Sequence, residues 1–295
     1  MTTTWRNKPG AQGCAPSGRA ANWAQFWRWR RFVGSRVDLG IAGRKAIICA
    51  SSKGLGKACA LALAEAGCIV FINGRAEQRL EATATEIRRA TGASVSTVVG
   101  DIDEPGVRDA LLRACPEPDI LVNNNGGPPP KAFLALDRAD ILRGVEANML
   151  TPIALAQAVL PGMAARGFGR IVNITSSSVR APIEGLDVSA AARAGLTAFL
   201  AGSARAYAGR NVTINSIQPG AFDTDRLRPG LIRDALSQGV DETQARAHRE
   251  AKIPAKRFGS PAELGALCAF LASAQAGYVT GQNILIDGGA FPGAF

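Results

Sequence analysis

Residues 45–67 read KAIICASSKGLGKACALALAEAG, and the order of textures in that stretch decides the fold. KAIICA (45–50) is apolar, β-branched at its centre and too short for a helix, so it reads as a buried strand. SSKGLG then breaks the pattern with two glycines, and CALALAEAG has helical spacing and stops at Gly67. The same alternation continues down the chain. CIVFIN (68–73), SVSTVV (94–99), DILVNN (119–124), RIVNIT (170–175), NVTINSI (211–217) and NILID (283–287) are further strand runs. Helical patterns lie over 77–90, about 137–165, 186–199 and beyond, and 261–273. Strands that are apolar throughout and separated by helices predict a parallel sheet covered on both faces. The expected architecture is one α/β domain over 37–295, a single doubly wound, Rossmann-type parallel sheet with helices on both faces.

Composition narrows the function. At 47% hydrophobic and 20% charged residues, the chain has the make-up of an ordinary globular protein. Its six cysteines form no CxxC pair and mostly lie in apolar runs, which argues against a disulfide framework or a zinc site and for a reducing compartment. No uninterrupted apolar run approaches the roughly 18 residues of a membrane span, so a cytoplasmic protein with no membrane partner is expected. The net charge of +10 is unevenly placed. Residues 1–40 hold seven basic residues against one acid, and all four tryptophans. Residues 1–36 therefore read as a basic, Trp-rich extension, disordered or translated from a start upstream of the true one. Nucleic-acid binding through this segment is the weakest of the functional readings.

The loop CASSKGLGKA (49–58) sits where a parallel sheet hands a strand to a helix. Glycines there let backbone approach a pyrophosphate, and the helix N-terminus holds it by its amides and dipole. An acceptor for a ribose 2′-hydroxyl is expected about 20 residues on, yet the second strand ends INGR, with Arg75 and no acid. With Lys53 in the loop itself, two cations favour a 2′-phosphate, and hence NADP (NADPH).

With these residues in place the chain resembles the short-chain dehydrogenase/reductase family, from about residue 40 to the end. The family's TGxxxGxG loop corresponds to 49–56, with Cys49 and Ala50 in the first two places and Gly54 and Gly56 retained. GDID (100–103) resembles its adenine-contacting aspartate segment, NNNGG (123–127) its NNAG segment with Asn125 for alanine, and QPGAFDT (218–224) its nicotinamide-cradling PGxxxT. RFGSPAELGALCAFLAS and YVTGQNILIDGG resemble its C-terminal region. The resemblance implies cofactor contacts from Ser51, Ser52, Lys53, Gly54, Leu55, Gly56, Asn73, Arg75, Asp101, Ile102, Asn124, Gly126, Arg193, Pro219, Gly220 and Thr224. It further implies a homotetramer or homodimer, and a substrate lid over the polar stretch 221–257, where the single histidine, His248, reads as a surface residue.

The same resemblance assigns four catalytic roles. Asn148, in EANM, matches the asparagine that holds a water relay, and Ser176, in NITSS, the serine that polarises the carbonyl. Where the tyrosine acid/base should stand is Ser189, and four residues on, in the lysine's place, is Arg193. Within LDVSAAARAGLTAF (186–199) the two share a helix face at i and i+4, with Asp187 or Ser189 as the expected N-cap. The only tyrosines, Tyr207 and Tyr278, belong to segments away from the site. Serine is a far weaker acid than a phenol and arginine cannot shuttle a proton, whereas lost acid/base help costs about 10²–10⁴-fold. Glu184 or Asp187 could relay a proton, or act as a loop residue and helix cap. Two functions stay open: an NADP-dependent oxidoreductase of carbonyl/alcohol substrates, in the 3-oxoacyl carrier-protein reductase-like branch and with an atypical acid/base site, or an NADP-binding pseudoenzyme acting as sensor or subunit. No metal is expected.

Overall fold

The computed structural model describes residues 37–293. The extension over 1–36, and the boundary expected at its end, lie outside the described residues. Seven strands form one sheet: β1 (Lys45–Ile48), β2 (Ile69–Gly74), β3 (Val95–Val99), β4 (Ile120–Asn123), β5 (Gly169–Ile174), β6 (Val212–Pro219) and β7 (Asn283–Ile286). They lie in the order β3-β2-β1-β4-β5-β6-β7, and every pairing is parallel. Eight helices connect them: α1 (Gly54–Glu65), α2 (Glu77–Thr91), α3 (Pro105–Ala114), α4 (Arg138–Arg166), α5 (Asp187–Tyr207), α6 (Arg228–Gln238), α7 (Glu242–Lys252) and α8 (Pro261–Ala272). The expected doubly wound α/β sheet is the fold observed. The sequence reading passed over α3, which is short and charged and buries only Leu111.

Register explains the two cores. Ile47 lies beside Phe71 and Leu121, and Ile48 beside Ile72 and Val122, so neighbouring strands send alternate residues to opposite faces. Ala46, Ile48, Val70, Ile72, Ile120, Val122 and Ile217 pack with Leu63 of α1, Leu80 and Ile87 of α2, and Leu264 and Leu271 of α8. Ile47, Phe71, Leu121, Ile171, Val212 and Ile214 pack with Leu111 of α3, Ile153, Val159 and Met163 of α4, and Leu196 and Leu200 of α5. Both faces are covered by helices, which is why the strand runs are mainly apolar. Cys49, Cys59, Cys68, Cys115 and Cys268 are buried as free thiols.

Helix α4 carries an 18-residue window of mean hydropathy 1.2, long and apolar enough to cross a membrane by length and composition, which the search for unbroken apolar runs did not register. In this fold 56% of that window is buried. It is apolar because it roofs one face of the sheet.

The chain leaves β1 toward β2 and β3 on one side and toward β4 through β7 on the other, so a crevice opens beyond the carboxyl ends of β1 and β4. The region expected to be the lid holds α6 and α7, with Leu231, Ile253 and Phe258 as a small cluster of their own.

Helix α1 is pinned from behind by α8. A Cβ at Gly265 would come within 2.5 Å of the Ala58 carbonyl oxygen, a backbone atom that cannot swing away. Gly265→Ala should cost about 1–3 kcal/mol and lower the melting temperature by about 3–10 °C in a calorimetric scan; an unchanged melting temperature would show that α8 can slide at no cost.

Candidate active site

The crevice begins at the turn between β1 and α1. Lys53 caps α1 without any side-chain hydrogen bond, and no acid stands in the first turn, so the amides at this helix start are left for a ligand. Gly54 adopts φ +58° and faces the Thr224 methyl. Gly56 has no room for a side chain: a Cβ there would lie 2.6 Å from both the Ala50 carbonyl oxygen and the Asn124 amide nitrogen. A bare, amide-lined surface of this kind suits a diphosphate. Leu55 turns away from it and packs against the core.

Several of the expected cofactor residues serve as the frame of this turn. Ser51 Oγ donates to the Ile48 carbonyl at 2.8 Å. Asn73 is buried, donating from Nδ2 to the Val98 and Gly100 carbonyls at 3.0 and 3.1 Å and accepting at Oδ1 from the Ala50 amide at 3.3 Å. Asn124 Nδ2 reaches the Cys49 and Ala50 carbonyls at 3.3 and 3.0 Å, tying β4 to the turn. Ser52 accepts at its carbonyl from Thr83 and stands against Gly74 at the end of β2, and so beside Arg75.

The two expected cations both meet acids. Lys53 Nζ lies 3.1 Å from Asp225 and Arg75 3.6 Å from Asp101, with Lys53, Arg75 and Asp225 largely exposed. Pairs so wetted are weak and yield readily to a multiply charged phosphate. Ile102 is buried behind Asp101 and lines a small cavity with Asn123, Asn125, Asn148 and Arg193. On the far wall Pro219 ends β6, and Gly220 packs flat on Asp287, where a Cβ would come within 2.7 Å.

The four groups assigned to catalysis stand on three neighbouring elements. Asn148 lies in a π-helical turn of α4 (Glu146–Leu150), a distortion common at functional positions. Its Nδ2 reaches the Gly126 carbonyl at 3.4 Å, and its buried Oδ1 has no partner. Asn123 Oδ1, on the same cavity, has none either. Ser176 follows β5 and accepts twice, from the Ser178 amide at 3.1 Å and the Ser178 hydroxyl at 2.8 Å, which leaves its own proton free to be donated. Ser189 is buried and accepts from Arg193 Nε at 3.2 Å. Neither Asp187 nor Ser189 caps α5: the cap is Leu186, with no side-chain bond, and Ser189 is spent on Arg193 instead. Tyr207 packs at the edge of one core and Tyr278 is fully exposed. His248 bonds Gln238 on the lid surface at 2.8 Å.

Arg193 is the organising side chain. Its guanidinium is buried and donates to the Ile174 carbonyl at 2.6 Å and the Asn125 carbonyl at 3.2 Å, linking the ends of β5 and β4. Burial, with some help from the nearby Arg226 charge, pushes its pKa down to about 10. It thus remains a cation at neutral pH.

Two residues escaped the sequence reading. Asn125, noted only as a departure from alanine, ties Asp103 (2.7 Å) to the Ala147 carbonyl (3.1 Å) and so bolts the loop after β4 to α4. Arg226, two residues past Thr224, spans from the root of the lid to the Gly127 carbonyl, both terminal nitrogens at 3.2 Å. One arginine in a polar stretch carries no signal of what it faces.

Comparison with known proteins places this geometry among oxidoreductases. A family model described as enoyl-(acyl carrier protein) reductase matches residues 49–290. The 3-oxoacyl-[acyl-carrier-protein] reductase FabG of Aquifex aeolicus is 31% identical over 86% of this chain and 100% of its own length. The NADPH-dependent reductase BacG of Bacillus subtilis is 30% identical over 84% of this chain and 97% of its own. The crystal structure of L-sorbose reductase from Gluconobacter frateurii, complexed with NADPH and L-sorbose, superposes with a TM-score of 0.82 at 29% identity, covering 87% of this chain and 99% of that one.

The turn holds one strained residue. Ala50 takes φ +44°, left-handed backbone where glycine is at ease and a Cβ costs about 1–2 kcal/mol. Ala50→Gly should therefore stabilise the protein by about 0.5–1 kcal/mol net of glycine's extra chain entropy, raising the melting temperature by about 1–3 °C. A fall would mean that the Ala50 methyl makes packing contacts worth more than its strain.

Proposed function

We propose that this chain, which belongs to the short-chain dehydrogenase/reductase family, is an NADP-dependent oxidoreductase of a carbonyl/alcohol pair whose acid/base site is built on Ser176, Ser189 and Arg193. The observation that carries this reading is the buried Arg193 guanidinium, anchored on the carboxyl ends of β4 and β5 and bonded to Ser189. A cation held so firmly is suited to the lysine's part, binding ribose hydroxyls and lowering the energy of negative charge nearby.

In this reading the pyrophosphate rests on the amides from Ser52 to Gly56, with Lys53 and Arg75 near the 2′-phosphate and Asp101 and Ile102 toward the adenine. Gly126, Pro219, Gly220 and Thr224 border the nicotinamide. Bound there, NADPH supplies a hydride. A carbonyl reduced by it would need a proton at its oxygen, and supplying that proton would fall to this chain's own hydroxyls. Ser176 directs its free O–H at the carbonyl oxygen and holds the charge that develops. Ser189, its lone pair engaged by Arg193, has its own proton to offer, and Arg193 acts by charge because it keeps its protons. The cavity between Asn148 and Arg193 is of a size for one water, and the unpartnered Asn148 and Asn123 oxygens are acceptors for it, which supports Asn148 as the holder of a proton relay. The relatives named for NADPH support the choice of dinucleotide. Self-association also belongs to the proposal: Ile141, Leu142 and Leu150 of α4 and Phe199 of α5 are apolar and about half exposed.

The absence of a phenol favours one rival, a cofactor-binding protein without turnover, and NADPH oxidation across a carbonyl panel separates the two. Ser176→Ala should lower kcat by about 10²–10³-fold, and more than Ser189→Ala, which should slow the chemical step without weakening NADPH binding. Ser189→Tyr with Arg193→Lys rebuilds the usual pair. If the native protein reduces nothing and the rebuilt one does, the rival wins.

Cofactor choice has its own test. Titration should give NADPH at least tenfold tighter than NADH, about 1.4 kcal/mol, and Arg75→Ala should narrow that gap by weakening NADPH alone. Equal affinities in the unmodified protein would remove the NADP assignment.

A further inference from the structure

Two guanidinium groups face the substrate side of the crevice with no acid to neutralise them. Arg193 spends its hydrogen bonds on two carbonyls and a hydroxyl. Arg226 spends its own on the Gly127 carbonyl and, at 3.5 Å, the Pro128 carbonyl. Neither is in an ion pair among the described residues. The nearest acid in sequence, Asp225, is engaged by Lys53 at 3.1 Å. Three other lid arginines are paired: Arg246 with Asp223 at 2.7 Å, Arg249 with Asp234 at 2.5 Å and Arg228 with Glu242 at 3.4 Å.

Gly127 measures how closely Arg226 approaches the reacting centre. A point one Cβ bond from its backbone lies 2.8 Å from Arg226 Nη2 and 3.2 Å from Ser189 Oγ, so those two atoms are at most 6.0 Å apart. Ser189 stands where the family's acid/base group stands, beside the carbonyl oxygen. A ligand group held by Arg226 is therefore only a few bonds from the carbonyl carbon. Arg226 offers a planar cationic fork, a donor matched to a carboxylate.

We propose that the substrate is an oxo acid, with Arg226 receiving a free carboxylate close to the carbonyl. The proposal rests on the oxidoreductase reading for the position of the carbonyl, and it makes Arg226 a specificity-determining residue. A thioester or ester presents no charge at that point and leaves both guanidinium groups without a counter-ion. The site therefore discriminates against the very kind of substrate, an acyl carrier thioester, after which the FabG relative is named.

The experiment compares acids with their methyl esters on the full chain: 2-oxobutanoate, acetoacetate, levulinate and phenylpyruvate, each against its ester. Two readouts are taken, NADPH-dependent reduction and calorimetric binding to the NADP⁺-loaded protein. At least one acid should exceed its ester in kcat/KM by about a hundredfold. Arg226→Gln, which keeps an amide to bond the Gly127 carbonyl, should erase most of that ratio by raising KM for the acid. Arg226→Lys should restore part of it, which a merely structural role for the clamp would not do. An ester equal to its acid, or a ratio unmoved in Arg226→Gln, overturns the proposal. If nothing is reduced but acids bind in an Arg226-dependent manner, the carboxylate site stands and the oxidoreductase reading falls. If esters turn over while acids neither bind nor react, the reverse holds.

Discussion

A methyl group at residue 56 would sit 2.6 Å from the Ala50 carbonyl oxygen and from the Asn124 amide, so α1 is seated as close to the ends of β1 and β4 as a backbone can come. The site geometry depends on that approach. It holds the uncapped helix start over the crevice where the sheet's winding reverses, and it requires the turn before it to pass through left-handed backbone at Ala50. The polar residues around the turn, Ser51, Asn73 and Asn124, are consumed in holding the turn in this shape. A turn braced by buried side-chain amides leaves its own backbone amides free for a ligand, and loses no energy reorganising when one arrives.

On the opposite wall the governing choice is a buried arginine. A lysine at residue 193 would present one mobile charge with three donors; the guanidinium presents a fixed fork that is already bonded to two strand ends and to Ser189. In the proposed site Arg193 gives, in place of a movable ammonium, a rigid cation that keeps its proton at neutral pH. It also sets the character of the neighbourhood. With Arg226 arriving from the lid, the substrate side carries two positive charges and no negative one in contact with them, whereas the dinucleotide side has Lys53 and Arg75 already paired with acids. The two halves of the crevice are thus prepared for anions in different ways: one by exchangeable surface pairs, the other by unneutralised charge.

The architecture was legible in the chain because it depends on patterns that are local. The strand runs are mainly apolar, since both faces of the sheet are covered, and all seven strands fall within one or two residues of the runs read from sequence. β6 continues to Pro219, past the run that ends at residue 217, because pairing with β7 supplies the partners. Helix α3 was not legible, since one buried leucine is too little periodicity to find. The proposed standing of Ser189 and Arg193 at the family's tyrosine and lysine positions rests on the surrounding AAxAGL text.

What only the tertiary structure decided is which polar atoms are spent and which remain. Ser51 and Asn73 look like ligand contacts in a motif but are bonded into the frame, while the amides beside them are free. Arg226 is one basic residue in a polar run until folding brings it within reach of Gly127 and Ser189, residues far away in the chain. The sequence alone determined the sheet and the crevice, because hydrophobic periodicity and glycine placement act over a few residues. The partnering of charges is a property of distances between segments, and only the packed fold determines those.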